Sequence, residues 1–136
     1  AAAPVRREPL PTGSERILFV DDEPTLTGLA EKMLSKLGYR VAVRSSSVEA
    51  LDMFREGPDQ FDLVITDMTM PVMTGDRLAQ KILEIHPDIP IILCTGYSEH
   101  ITEERAKVIG IREFLLKPIE MGELAKTVRK VLDMGK

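Results

Sequence analysis

The 136-residue chain contains no tryptophan, no asparagine and a single cysteine, and only 4% of it is aromatic. One thiol, Cys94, excludes an internal disulfide; with two separated histidines, His86 and His100, it also excludes a thiolate or imidazole metal cluster. That usage fits a reducing, cytosolic setting. Without asparagine there is no N-glycosylation acceptor, and without any Gly-x-Gly there is no glycine-rich dinucleotide or kinase loop. No apolar run approaches the roughly 20 residues of a membrane helix, and the stretch Ala1 to Pro11 lacks the apolar segment of a signal peptide. Excess positive charge is missing too: 18 Lys and Arg stand against 22 Asp and Glu, net −4, so the surface as a whole does not attract nucleic acid. Any phosphate chemistry must therefore use carboxylates and a lysine.

With 43% hydrophobic and 29% charged residues, the length suits one core of ordinary size. Residues 1–14 hold three prolines, one glycine and the pair Arg6-Arg7 without periodicity, and read as a Pro-rich linker, so the domain is expected over 15–136. From Glu15 onward, apolar runs at 16–20, 39–43, 61–66, 89–95 and 111–116 predict five strands. Between the first two, Leu26, Leu29, Ala30, Met33, Leu34 and Leu37 fall at helical spacing, with Pro24 in the first turn and Gly38 at the stop. Ser46 and Glu49 form a capping-box pattern for a second helix to about Glu56. A third helix is predicted from Gly75 to about His86, a less periodic fourth near 99–109, and a last one with Met121, Leu124, Ala125, Val128, Val131 and Leu132 on one stripe. Strand and helix alternating in this way predict a flavodoxin-like, doubly wound α/β fold: five parallel strands in the order 2-1-3-4-5, covered by five helices.

In such a sheet the ligand site lies beyond the carboxyl ends of the strands, where the strand order reverses. The residues found there are Asp21-Asp22-Glu23 after the first strand, Asp67 after the third, Thr95-Gly96 after the fourth and Lys117-Pro118 after the fifth. Three crowded carboxylates repel unless a cation neutralises them, and an all-oxygen acidic site suits Mg²⁺. A hard metal beside a carboxylate, with a lysine opposite and a hydroxyl nearby, is a phosphoryl-binding arrangement in which a carboxylate can be the nucleophile. Asp67, alone at the end of the central strand, is the natural acceptor and is expected on a solvated rim. Asp21 and Asp22 are adjacent and suit paired metal ligation.

Taken together, Asp21-Asp22, Asp67 with Pro71 and Gly75 after it, Thr95 and Lys117-Pro118 resemble the receiver domain of two-component response regulators across roughly residues 15–134. The resemblance implies phosphorylation of Asp67 by a partner's phosphohistidine, on a sensor histidine kinase or phosphotransfer protein, with Mg²⁺ or Mn²⁺ required. It implies that Asp22 and Asp67 bind the metal directly, Asp21 through water, and that the backbone carbonyl of Thr69 completes the shell. Lys117 would hold the phosphoryl oxygens, and Thr95 would move toward the phosphate while Phe114 follows as the switch aromatic. Thr69 and Tyr97, two residues after Asp67 and Thr95, flank the path of attacking water and are expected to set the phosphoryl lifetime. The surface of the fourth helix, fifth strand and fifth helix would report the state and could form a homodimer. Activity of the domain itself would be limited to self-phosphorylation and autodephosphorylation. The Pro-rich linker before the first strand, with no output domain after the last helix, resembles the C-terminal receiver of a hybrid sensor histidine kinase, whose parent could be membrane-anchored; a stand-alone regulator is the alternative.

Two other functions fit parts of the pattern. An aspartyl-nucleophile Mg²⁺ phosphohydrolase needs a second Asp two residues after the first, where this chain has Thr69, and a pure interaction module has no use for a complete acceptor, metal, lysine and hydroxyl set. Blander roles suit other residues. Asp22 or Glu23 could cap the first helix. Cys94 is expected in core packing, Met68, Met70 and Met73 in loop packing, and His86 and His100 at the surface.

Overall fold

The computed structural model describes residues 9–96, 101 and 103–134. Its elements are β1 (Arg16–Val20), α1 (Pro24–Lys36), β2 (Arg40–Arg44), α2 (Ser47–Glu56), a single 3₁₀ turn (Pro58–Gln60), β3 (Leu63–Asp67), α3 (Gly75–Ile85), β4 (Ile91–Thr95), α4 (Glu103–Ile109), β5 (Glu113–Leu116) and α5 (Met121–Met134). All pairings are parallel, in the order β2-β1-β3-β4-β5. The flavodoxin-like prediction therefore holds in strand order, strand direction and helix count. Strand alternation divides the core into two layers. Ile17, Phe19, Leu63, Ile65, Ile92 and Leu115 pack with α1 and α5 on one face, whereas Leu18, Val20, Val64, Ile91 and Leu93 pack with α2, α3 and α4 on the other.

Local signals in the chain explain where the helices begin and end. Ser46 Oγ accepts the Glu49 N–H at 3.3 Å, the N-cap half of the expected capping box. α1 stops at Gly38, whose φ of +100° lets the Gly38 and Tyr39 N–H groups bond back to Ser35 and Leu34 carbonyls. Gly110, with φ +107°, ends α4 in the same way. The α1 N-terminus departs from expectation: Glu23 is its N-cap residue, yet no side chain caps it. Instead Asp21 Oδ1 accepts the Glu23 N–H at 3.0 Å, so the local turn is made by the residue two before the cap. β2 and β3 lie one to two residues later than the apolar runs suggested, because pairing with β1 decides register and apolar content does not. Part of the fourth-helix prediction falls outside the described residues, and α4 itself begins at Glu103.

Residues 9–15 have no regular secondary structure, yet part of this segment lies against the domain. Leu10 packs against the α1/α5 core layer, and the Gly13 N–H donates to the Leu37 carbonyl at 3.1 Å.

Candidate functional site

Strand register decides which side chains meet at the carboxyl edge. Val20 pairs with Thr66, so the next residues, Asp21 and Asp67, stand side by side at the β1/β3 switch point. Asp67 pairs with Cys94, which places Thr95 one step farther out, and Thr95 pairs with Leu116, which places Lys117 one step beyond that. Four strand ends thus form a staircase, and the long arm of Lys117 reaches back down it. Lys117 Nζ lies 2.7 Å from Asp67 Oδ1 and 3.2 Å from Asp21 Oδ2. Carboxylate oxygens of Asp21, Asp22 and Asp67 all fall within 4.8 Å of one another. Asp21 and Asp67 are only 1% and 3% exposed, and Asp22 is more accessible than either. The acceptor candidate is therefore buried, contrary to the solvated rim expected of it. β3 is covered on both faces along its whole length, down to its last residue.

This burial sets the electrostatics. Desolvation opposes the charge on Lys117, but the hydrogen bond and field of Asp67, followed by those of Asp21, outweigh it and hold the ammonium well above its ordinary value. Lys117 is thus a fixed cation. Three carboxylates against one ammonium leave the cluster net negative. A hard divalent ion takes oxygen donors only, and that donor set is what Asp21, Asp22 and Asp67 present, so the residues fit such an ion.

The β3–α3 loop closes over the site from the other side. The Gly75 N–H donates to the Met68 carbonyl at 2.7 Å, and a Cβ at Gly75 would lie 2.0 Å from the Asp67 carbonyl oxygen. Glycine is required there by close backbone approach. Thr66 Oγ1 donates to the same Asp67 carbonyl at 3.0 Å, fixing the main chain beside the acceptor candidate. Within the loop, Met73 N–H donates to the Pro71 carbonyl at 2.8 Å across Val72, whose φ is +71°. A β-branched residue in a γ-turn of positive φ is strained. Met70 is buried, and Met68 and Met73 pack partly buried against the α2–α4 core layer.

The remaining candidates fall at varying distances from the pocket. Thr95 is buried at the end of β4, and its carbonyl accepts the Lys117 N–H at 2.8 Å. Thr69 is exposed in the loop. Phe114 is half-buried, packs against the α2–α4 core layer and lines a cleft with Leu116, Lys117 and Glu123. Tyr97 and His100 lie outside the described residues. Cys94 is fully buried in the core. His86 is only half-buried at the end of α3, where its ring meets Phe54 edge-on. Sequence reasoning passed over Asp76, which is 8% exposed at the start of α3 and accepts a 2.5 Å hydrogen bond from Thr74 Oγ1. Arg105 of α4 approaches its other oxygen at 3.9 Å. The Thr-Gly-Asp triplet ahead of an amphipathic run was the signal available for it.

Comparison with known proteins adds four findings. The family model described as response regulator receiver domain matches residues 17–129. A rice two-component response regulator, ORR24, is 36% identical over 118 residues, which are 87% of this chain and 18% of that protein. The chain thus spans less than a fifth of that curated relative. Among solved structures, a response regulator receiver domain protein of Clostridium thermocellum superposes with a TM-score of 0.84 at 32% identity, covering 88% of this chain and 95% of that one. The receiver domain of the sensor histidine kinase PA1611 from Pseudomonas aeruginosa, solved with magnesium coordinated in its active site cleft, gives 0.78 at 25% identity, covering 89% and 99%.

Proposed function

The chain belongs to the response regulator receiver family of two-component signalling, and from that premise we propose that Asp67 accepts a phosphoryl group from a phosphohistidine of a sensor histidine kinase or phosphotransfer protein. The observation that carries this reading is the Lys117 ammonium held between Asp67 and Asp21, 2.7 and 3.2 Å away, in a buried pocket that stays net negative. An oxygen of the Asp67 carboxylate attacks phosphorus, the P–N bond breaks with its electron pair passing to the imidazole, and an acyl phosphate remains. Lys117 lies where it can exchange carboxylate oxygens for phosphoryl oxygens with little movement. Asp22 and Asp67 would hold Mg²⁺ or Mn²⁺ directly, with Asp21 acting through water and Thr69 through its carbonyl. When bound, the ion supplies the neutralising charge that three carboxylates and a dianionic phosphoryl group require. The magnesium described for the PA1611 receiver supports that assignment.

Thr95, one step above Asp67 on the neighbouring strand, is the hydroxyl that follows the phosphate, and Phe114 on β5 is the aromatic whose packing changes with it. Thr69 and Tyr97 are assigned to phosphoryl lifetime. The α4–β5–α5 surface is the reporting face and the candidate homodimer face. Kinship with a sensor kinase receiver favours a receiver within a cytoplasmic hybrid histidine kinase over a stand-alone regulator. No described helix is long and apolar enough to cross a membrane.

The test is incubation with acetyl phosphate and Mg²⁺, read by intact mass beside an Asp67→Ala control. One phosphoryl adduct, Mg²⁺-dependent and absent from the control, supports the assignment; an adduct on Asp67→Ala overturns it.

A further inference from the structure

At the opposite, amino-terminal edge of the sheet, Arg129 of α5 gathers groups from distant parts of the chain. Its Nη1 and Nη2 bond Glu15 Oε1 and Oε2 at 3.0 and 2.5 Å, in the bidentate geometry that makes Arg–carboxylate pairs specific. Nε and Nη2 also bond Asp133 at 3.0 and 2.8 Å. Nη1 further donates to the Thr12 carbonyl at 3.2 Å and to Tyr39 Oη at 3.5 Å. Beside it, Gly13 and Gly38 meet backbone to backbone: a Cβ at Gly38 would lie 2.4 Å from the Gly13 carbonyl oxygen, and one at Gly13 would lie 2.5 Å from Arg129 Nη1. Leu10 continues the contact into the α1/α5 core layer.

The residues just before β1 therefore do more than lead into the strand. Their carbonyl, N–H and apolar groups are satisfied by the stretch from the end of α1 to the start of β2 and by α5, two separate parts of the chain. We infer that residues 10–15 form a strap that Arg129 locks onto α5, and that the strap and the C-terminal half of α5 open together as one cooperative unit. The other half of α5 begins at Met121, three residues after Pro118, and so lies nearer in sequence to the carboxyl-edge pocket.

Native-state hydrogen exchange on the full chain tests both parts. In Arg129→Gln the Gly13 amide, which donates to Leu37, loses protection by about tenfold or more, while β3 and β4 amides keep theirs. Unchanged Gly13 exchange overturns the lock, and so does an equal loss across β3, since that reports global destabilisation. Should Arg129→Gln not fold, Glu15→Gln, which removes only the anionic half of the pair, carries the same two outcomes. Cooperativity is read in Gly38→Ala, where the atoms nearest the added methyl all belong to Gly13 and none to Arg129, Glu15, Tyr39 or Asp133. Amides of residues 128–132 then lose protection together with the strap; loss confined to the strap overturns the joint unit.

Discussion

The two edges of the sheet each carry a cation among carboxylates, and they differ in what the cation leaves over. At the amino edge, the planar guanidinium of Arg129 is matched by Glu15, Asp133 and the Thr12 carbonyl, and Asp133 remains 55% exposed to water. At the carboxyl edge, a single ammonium faces three carboxylates, two of them almost fully buried. The first cluster leaves one negative charge over, with Asp133 open to water, and holds parts of the chain together. The second retains unneutralised negative charge with two of its three carboxylates almost out of reach of water, a condition that favours an added cation. The same residue chemistry thus yields a joint at one end of the strands and a candidate site at the other.

The largest effect expected is on chemistry at the carboxyl edge. Asp67→Asn is expected to abolish phosphoryl uptake from acetyl phosphate, read by intact mass, with a melting temperature equal to or above that of the parent, because one of the repelling charges is gone. Gly75→Ala tests the backbone that holds the site. With 2.0 Å between the new methyl and the Asp67 carbonyl oxygen, unfolding free energy falls by about 3 kcal/mol in denaturant titration. Addition of Mg²⁺ raises the melting temperature of the parent, and Asp22→Ala removes most of that rise; a parent without any shift would make the carboxyl edge no more cation-hungry than the amino edge. In the strained loop, Val72→Gly stabilises the fold by about 1 kcal/mol, since relief at φ +71° exceeds the entropy that glycine adds to the unfolded chain.

The smallest effect is at the amino edge and appears only in acid. The hydrogen bonds from Arg129 hold the Glu15 carboxyl down at about 2 against an ordinary 4.5. A depressed folded value means that this stabilisation is complete above pH 4.5 and is lost as the pH falls toward 2. Glu15→Gln therefore flattens that part of the acid limb of the stability curve and leaves the neutral region nearly parallel to the parent's. A parent and variant with the same acid limb would remove the distinction between the two edges.

The elements and the helix faces were legible in the sequence because apolar periodicity and glycine stops are local, and the strand order followed from the doubly wound class that such alternating elements suit. Gly38 and Gly110 end their helices in the left-handed conformation that their residue type favours. The residues of the candidate site were legible for a different reason: parallel β/α order sends every strand's carboxyl end to one edge, so Asp21, Asp67, Thr95 and Lys117 could be gathered by counting. The turn bond from the Glu23 N–H to Asp21, in place of a side-chain cap on α1, was not legible, since any of three successive acids could have bent back. Nor was the burial of Asp67, which depends on helices packed over both faces of β3. Arg129 gave no signal at all. It sits 114 residues from Glu15, and one more arginine on the polar side of an amphipathic helix looks like a solvated charge until the chain closes on itself.

Periodicity, stops and strand-end residues thus settled by themselves that this chain alternates strands and helices with acids and a lysine at the strand ends, because each of those features is encoded within a few neighbouring positions. Only the tertiary structure decided how deeply those acids lie, how far Lys117 reaches and which segments Arg129 ties together, because burial and long-range pairing are properties of packed elements and of no single stretch of sequence.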